Sequence, residues 1–154
     1  VWREQVDEWW ANRLGIPDLT PRYILQQWGT EVGRKGFHTD IWVASVENQL
    51  RRRLIDDIVI TDCRFPNELA AIKNAGGVTI RIQRGPDPEW YPYAELYNRA
   101  ESIVQREMYL EKLVDVHESE YSSVGLPHDF LVTNNKTITE LHRQLEAIVL
   151  NGQS

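Results

Sequence analysis

The sequence predicts an α/β layered fold, a parallel sheet flanked by helices. Three observations predict it. Short apolar runs rich in β-branched residues, at 58–61, 78–82 and 129–133, have the length and composition of buried parallel strands. Stretches with apolar residues at helical spacing alternate with them. The element order is three helices, then β, α, β, a long helical insert, β and α, as expected for strands joined by crossover helices. One domain is expected, in four parts: an N-terminal helix within 1–19, a body at 20–84, a helical insert at 85–128, and a final strand and helix at 129–150.

Each element has a local cause. Trp2, Val6, Trp9, Trp10 and Leu14 recur at helical spacing, so a helix is expected over 3–14, ended by Gly15-Ile16-Pro17. Thr20 supplies a capping hydroxyl, and Pro21 follows where its missing N–H costs nothing; that helix should run to Gly33. Residues 33–38 read as a loop. Thr39 or Asp40 should cap a third helix reaching Arg53, with Trp42, Val43, Val46 and Leu50 on its apolar side. Ile58-Val59-Ile60-Thr61 reads as the first strand. A helix over 67–75, closed by Gly76-Gly77, leads to a second strand at Val78–Ile82 and completes a compact βαβ unit. Three prolines make 85–92 irregular, 93–114 reads as a helix, and 118–128 as a loop. After a third strand at Asp129–Thr133, Thr137 and Glu140 form a capping box. It opens a helix with Leu141, Leu145, Ile148 and Val149 on one face, and 151–154 should fray.

Composition narrows the function classes. A chain of 154 residues with 42% hydrophobic and 26% charged residues suits a globular domain with a real core. No stretch approaches the roughly 18 apolar residues of a membrane span, so no membrane association is expected. One cysteine, Cys63, excludes an internal disulfide and fits a reducing compartment, the cytoplasm by default. A net charge of −6 argues against a broad nucleic-acid surface but leaves room for a local arginine pocket for a small anion.

Three polar constellations stand out. In Thr61-Asp62-Cys63-Arg64-Phe65-Pro66-Asn67-Glu68, Asp62 and Arg64 follow a hydrophobic run at the end where open α/β sheets bind ligands. A carboxylate there can hold Mg²⁺ through water or accept a proton, and an arginine can grip a phosphate with two parallel hydrogen bonds. The same residues also read as a polar turn with a local Asp–Arg pair and a cap from Asn67. In the second, Arg22, Gln26 and Thr30 are spaced four apart and so share one helix face, with Gly29 suggesting close approach of a backbone or ligand. A solvated face with a packing glycine is the alternative. In the third, His117, Glu118 and Glu120 lie near Asp115 without a zinc-ligand spacing, which favours a loop that orders around a ligand over a metal site. Arg51-Arg52-Arg53 reads as a solvated helix end.

In this order, the segments resemble the phage deoxynucleoside monophosphate kinases. The resemblance rests on Arg22-x-x-x-Gln26-x-x-Gly29-Thr30-Glu31, Trp42 at the next helix start, and Asp62-x-Arg64 with Glu68 downstream. It continues through Ala75-x-Gly77 leading to Arg84, His117-x-Ser119-Glu120, and Asp129-Phe130 to Asn134. It implies a P-loop-kinase-like fold and transfer of the ATP γ-phosphate to a deoxynucleoside monophosphate with Mg²⁺. It further implies that Trp42 lies against the base, and that Arg22, Gln26 and Thr30 line the monophosphate side. Asp62 would sit near the phosphoryl acceptor and metal, Arg64 would bind phosphate, and Glu68 would be the downstream acid. The insert at 85–128 would be a lid braced by His117 and Glu120.

The departure is at the ATP side. The family opens with a strand and a Gly-x-x-x-x-Gly-Lys-[Ser/Thr/Asp] loop, and here no lysine follows a glycine. The expected fold therefore lacks the first strand and phosphate loop. Mg²⁺ and ATP are expected as cofactors only where that segment is supplied. The sheet edge so exposed calls for a cover, from the first helix, a homodimer or another protein partner. Two readings follow. One is a deoxynucleoside monophosphate kinase-like protein whose ancestral reaction is ATP + dNMP to ADP + dNDP, inactive alone as this chain. The other is a truncated phage kinase relative that binds a nucleotide or a protein, for example as a counter-defence inhibitor.

Overall fold

A computed structural model describes residues 2–52 and 58–151. Arg53, where the third helix was expected to end, and the tail at 152–154 lie outside them. The chain divides into two compact units, residues 1–61 and 62–154.

The first unit is helical. A 3₁₀ turn at Trp2–Glu4 precedes α1 (Glu8–Leu14), so the expected helix over 3–14 starts late. The reason is Asp7, whose carboxylate accepts the Trp10 amide at 3.1 Å and whose own amide donates to Leu19 O, fixing an extended N-cap. Gly15, at φ 69°, ends α1 in the left-handed region. Thr20 caps α2 (Pro21–Gln26) as expected, accepting from the Tyr23 amide at 3.1 Å.

At Gln27 the helix widens into a π-helix that runs to Phe37, so the loop expected at 33–38 is helical. The π character is visible in the bond from the His38 amide to Gly33 O, five residues back. Arg34 helps close this segment: its buried side chain donates to Thr39 O at 2.8 Å. Then α3 (Ile41–Arg51) begins after Asp40, whose side chain makes no capping bond. Ile58-Val59-Ile60 forms no strand, and Val59 is 86% exposed. A parallel strand exists only when a neighbour satisfies its amides and carbonyls, and no ladder among the described residues reaches this run.

The second unit carries the sheet. Helix α4 (Pro66–Asn74) ends at Ala75, with Gly76 at φ 78°. Strand β1 (Ile80–Gln83) pairs in parallel with β2 (Phe130–Thr133), Ile80 opposite Phe130 and Gln83 opposite Thr133. The chain is thus a mixed helix and strand protein with a two-stranded parallel sheet beside helices. The parallel pair is not the expected neighbouring βαβ but joins across the whole insert. Register is set at its start: Thr79 and Asp129 bond each other, and Phe130 N donates to Thr79 O at 3.1 Å. Val132, 2% exposed, anchors β2. Helix α8 (Ile138–Asn151) follows, and Gln144 Nε2 reaches back to Thr133 O at 3.1 Å. Thr137 Oγ1 accepts the Glu140 amide at 3.3 Å, whereas the Glu140 carboxylate bonds Arg143.

The insert has a core of its own. The expected helix over 93–114 is broken into α5 (Tyr91–Arg99), α6 (Ile103–Leu110) and a 3₁₀ turn at Glu111–Leu113. The break is at Ala100-Glu101, where Ser102 caps α6 by accepting the Gln105 amide. The expected loop at 118–128 opens with α7 (Glu118–Tyr121). Ala94, Leu113, Tyr121 and Val124 are buried together, with Trp90, Tyr91, Tyr97 and Val116 against them. Asn98 fastens the turn after α7 by donating to Tyr121 O and Val124 O at 2.7 and 2.8 Å. The Arg81 guanidinium lies 4.6 Å over the Tyr91 ring and pairs with Asp87. Among the described residues no helix is long and apolar enough to cross a membrane.

Candidate functional site

Four of the expected site residues converge in the second unit. Residues 62–65 carry no regular structure and enter α4 through Phe65, whose side chain has no oxygen to cap with. Glu68, the third residue of α4, supplies the cap. Its carboxylate accepts the Phe65 amide at 2.9 Å and the Arg64 amide at 2.6 Å. The cap therefore comes from Glu68, while Asn67 Oδ1 accepts the Glu68 amide at 3.1 Å. The downstream acid of the Asp-x-Arg segment thus holds the backbone on which Arg64 is mounted.

The guanidinium of Arg64 reaches across to α7. Its Nη1 pairs with Glu120 Oε1 at 2.9 Å and makes a long bond to Ser119 Oγ at 3.4 Å. The pair is partly solvated, with 45% of the Arg64 side chain exposed, so its Coulomb contribution is screened. Arg64 therefore pairs with a residue 56 positions away rather than with its neighbour Asp62. The Asp62 side chain is exposed.

His117 is the N-cap of α7. Its Nδ1 accepts the Ser119 amide at 3.2 Å and lies 2.9 Å from Ser119 Oγ. Because a backbone N–H only donates, Nδ1 must carry the lone pair, and the ring is the neutral tautomer protonated at Nε2. The Ser119 hydroxyl then donates to Nδ1 and keeps its lone pairs for Arg64. Ser119 is buried; it belongs to the His117-x-Ser119-Glu120 motif, but no role at the site was expected of it. The only signal was its place between His117 and Glu120.

The other expected site residues belong to the first unit. Arg22 is exposed and ion-paired with Glu4, Gln26 is half-buried and Thr30 is buried. Thr30 lies in the π-helix that begins at Gln27, whereas Arg22 and Gln26 lie on α2. Trp42 Nε1 donates to Gly29 O at 2.9 Å, and its ring packs on Gly33. The close approach expected at Gly29 falls at Gly33, where an added Cβ would lie 3.1 Å from the Trp42 ring; at Gly29 nothing lies within 4 Å. The same unit has an open, mostly apolar cleft lined by Trp2, Asp7, Trp10, Pro21, Ile24 and Leu25.

No family model matches the chain, and no solved structure matches it. Two curated proteins do. A protein named deoxynucleoside-5'-monophosphate kinase from Escherichia phage T5 is 46% identical over 50 residues, 32% of this chain and 20% of that protein. A protein named putative deoxynucleotide monophosphate kinase from Acanthamoeba polyphaga mimivirus is 27% identical over 162 residues, covering 97% of this chain and 68% of that protein. This chain is therefore similar to viral proteins named as deoxynucleotide monophosphate kinases.

Proposed function

We propose that this chain is the acceptor-nucleotide body of a deoxynucleoside monophosphate kinase, with a P-loop-kinase-like fold. The observation that carries this reading is the similarity to a protein named as such a kinase over 97% of the chain. The arrangement at Arg64 supports it, since a half-exposed guanidinium held by its neighbours suits a phosphate better than a mobile one does.

In this reading Arg64 grips the monophosphate of the acceptor nucleotide, and Glu68 fixes its backbone. Trp42 lies against the base, and Arg22, Gln26 and Thr30 serve the monophosphate side. His117 and Glu120 brace the helical insert as a lid. Asp62 is an exposed single carboxylate at the head of the Arg64 loop. Magnesium is held by one or two carboxylates together with substrate phosphates, so Asp62 fits as its protein ligand. Bound there, the ion would neutralise charge on the phosphoryl oxygens. The donor set for ATP phosphates, a glycine loop ending in lysine, is not among these 154 residues, and no step is drawn through ATP.

Two measurements test the reading. Calorimetric titration of the purified chain with each of the four dNMPs should give binding that Arg64→Ala weakens at least tenfold. No heat with any of them overturns the nucleotide reading. Incubation with ATP, Mg²⁺ and dNMPs should give no dNDP, and phosphorylation of any dNMP by this polypeptide alone overturns the expectation that it is inactive by itself.

A further inference from the structure

We infer that Ser119, backed by His117, is a positioning residue that fixes Arg64 through one nitrogen and leaves the second edge of the guanidinium for an anionic phosphoryl ligand. The ligand's identity rests on the nucleotide reading above; the arrangement rests on geometry.

Both side-chain bonds of Arg64 leave from Nη1, to Glu120 Oε1 and Ser119 Oγ. Among the described residues Nε and Nη2 make no hydrogen bond. Those two nitrogens form the side-on fork of the guanidinium, the edge whose parallel N–H groups match two phosphate oxygens. At the anchored end Ser119 is buried, 8% exposed, whereas the Arg64 side chain is 45% and the Glu120 side chain 39% exposed. Bond directions agree along the relay: Arg64 donates to Ser119 Oγ, the Ser119 hydroxyl donates to His117 Nδ1, and the Ser119 amide holds the same nitrogen in its acceptor form. At the other end Glu68 holds the Arg64 amide. Arg64 is thus fixed at its backbone and at one side-chain nitrogen, which lowers the entropy a ligand must remove when it binds the free fork.

The test uses the full chain in two arms. In calorimetry with each dNMP, Ser119→Ala should weaken binding three- to tenfold and Ser119→Thr by less than twofold. Ser119→Ala should have no further effect in an Arg64→Ala background, where residual binding is read at high nucleotide. An equal loss in both backgrounds, or no loss in either, overturns the inference. In the second arm, nitrogen-15 spectra without ligand should show slow rotation of the Arg64 Nη1 group that Ser119→Ala accelerates and Ser119→Thr restores. Unchanged rotation in Ser119→Ala overturns the inference whatever binds. Absence of any dNMP binding by the parent chain sinks the nucleotide reading, and the rotation measurement still decides whether Ser119 positions Arg64.

Discussion

Asp129 accepts both the amide and the hydroxyl of Thr79, at 2.8 and 2.6 Å, while its own amide donates back to Thr79 O and Oγ1. Fifty positions of chain separate the two, so this clasp closes the large crossover and sets the register of β1 against β2. Thr79 lowers the Asp129 carboxyl to about 2, through its hydroxyl first and then its amide, with the Lys73 ammonium helping. A carboxyl depressed on folding stabilises the native state above its ordinary value near 3.9. That contribution is lost as pH falls through the folded value. Asp129→Asn, which does not titrate, should therefore melt below the parent at pH 6. The gap should stay constant down to about pH 5 and close between about pH 4 and pH 2. Melting curves across that range check it; a gap independent of pH would mean that the charge contributes nothing.

Gly125 follows the turn after α7 at φ 74°, and a Cβ there would lie 2.7 Å from Glu95 Cγ and 3.4 Å from Glu95 Cα. Gly85 has a similar φ of 71° but nothing within 4 Å. The two positions separate backbone strain from crowding. Gly85→Ala should cost about 1–2 kcal/mol, the left-handed penalty alone. Gly125→Ala should cost a further ~1–3 kcal/mol, because the Glu95 side chain on α5 must shift to admit the methyl group. Urea denaturation of both variants checks this, and equal losses would show that the α5 contact yields freely.

Where a signal was local, the sequence displayed it. Thr20-Pro21, the Gly15 and Gly76 stops, and the strands near 80 and 130 need only residues a few positions apart, and all appear close to where they were expected. What depended on distant partners did not show. The run at 58–60 has strand composition, but no ladder among the described residues completes it. In the π-helix Gly33 packs against a tryptophan ring nine residues on. At the site, Asp62 and Arg64 looked like a pair because they adjoin, yet Arg64 turns to Glu120. Ser119 acts on Arg64 through a bond that no spacing rule announces, whereas Glu68 does so from the third position of α4, where a capping acid is expected.

Asn98 is the polar link inside the core of the insert. Its Nδ2 donates to Tyr121 O and Val124 O, so one amide group closes the turn that follows α7. Asn98→Leu should leave both carbonyls short of a donor and cost about 2–3 kcal/mol, the penalty of unsatisfied, partly buried acceptors. Because α7 carries Ser119 and Glu120, the same change should loosen Arg64 as well as lower stability. Asn98→Asp restores shape and removes the donors, so it should be no better than leucine. Denaturation midpoints and hydrogen exchange of α7 amides check both claims; a fully stable Asn98→Leu protein would show that water replaces the amide without cost.

Gly29 and Gly33 lie on the same π-helix and meet Trp42 in opposite ways. Gly29 offers its carbonyl to the indole N–H, and an added methyl group there would meet nothing within 4 Å. Gly29→Ala should therefore be neutral or stabilising by up to about 1 kcal/mol, the helix-interior preference for alanine over glycine. At Gly33 the methyl group would stand 3.1 Å from both the Trp42 ring and Trp28 O, one of them backbone. Gly33→Ala should cost about 1–3 kcal/mol through overpacking. Trp42→Phe removes the bond to Gly29 O, which costs about 1 kcal/mol, and it also gives Gly33→Ala room. The double variant Trp42→Phe with Gly33→Ala should consequently lose less than the sum of the two single losses. Denaturant titration of the four variants measures that coupling, and strict additivity would mean that Gly33 is required by Trp28 O alone.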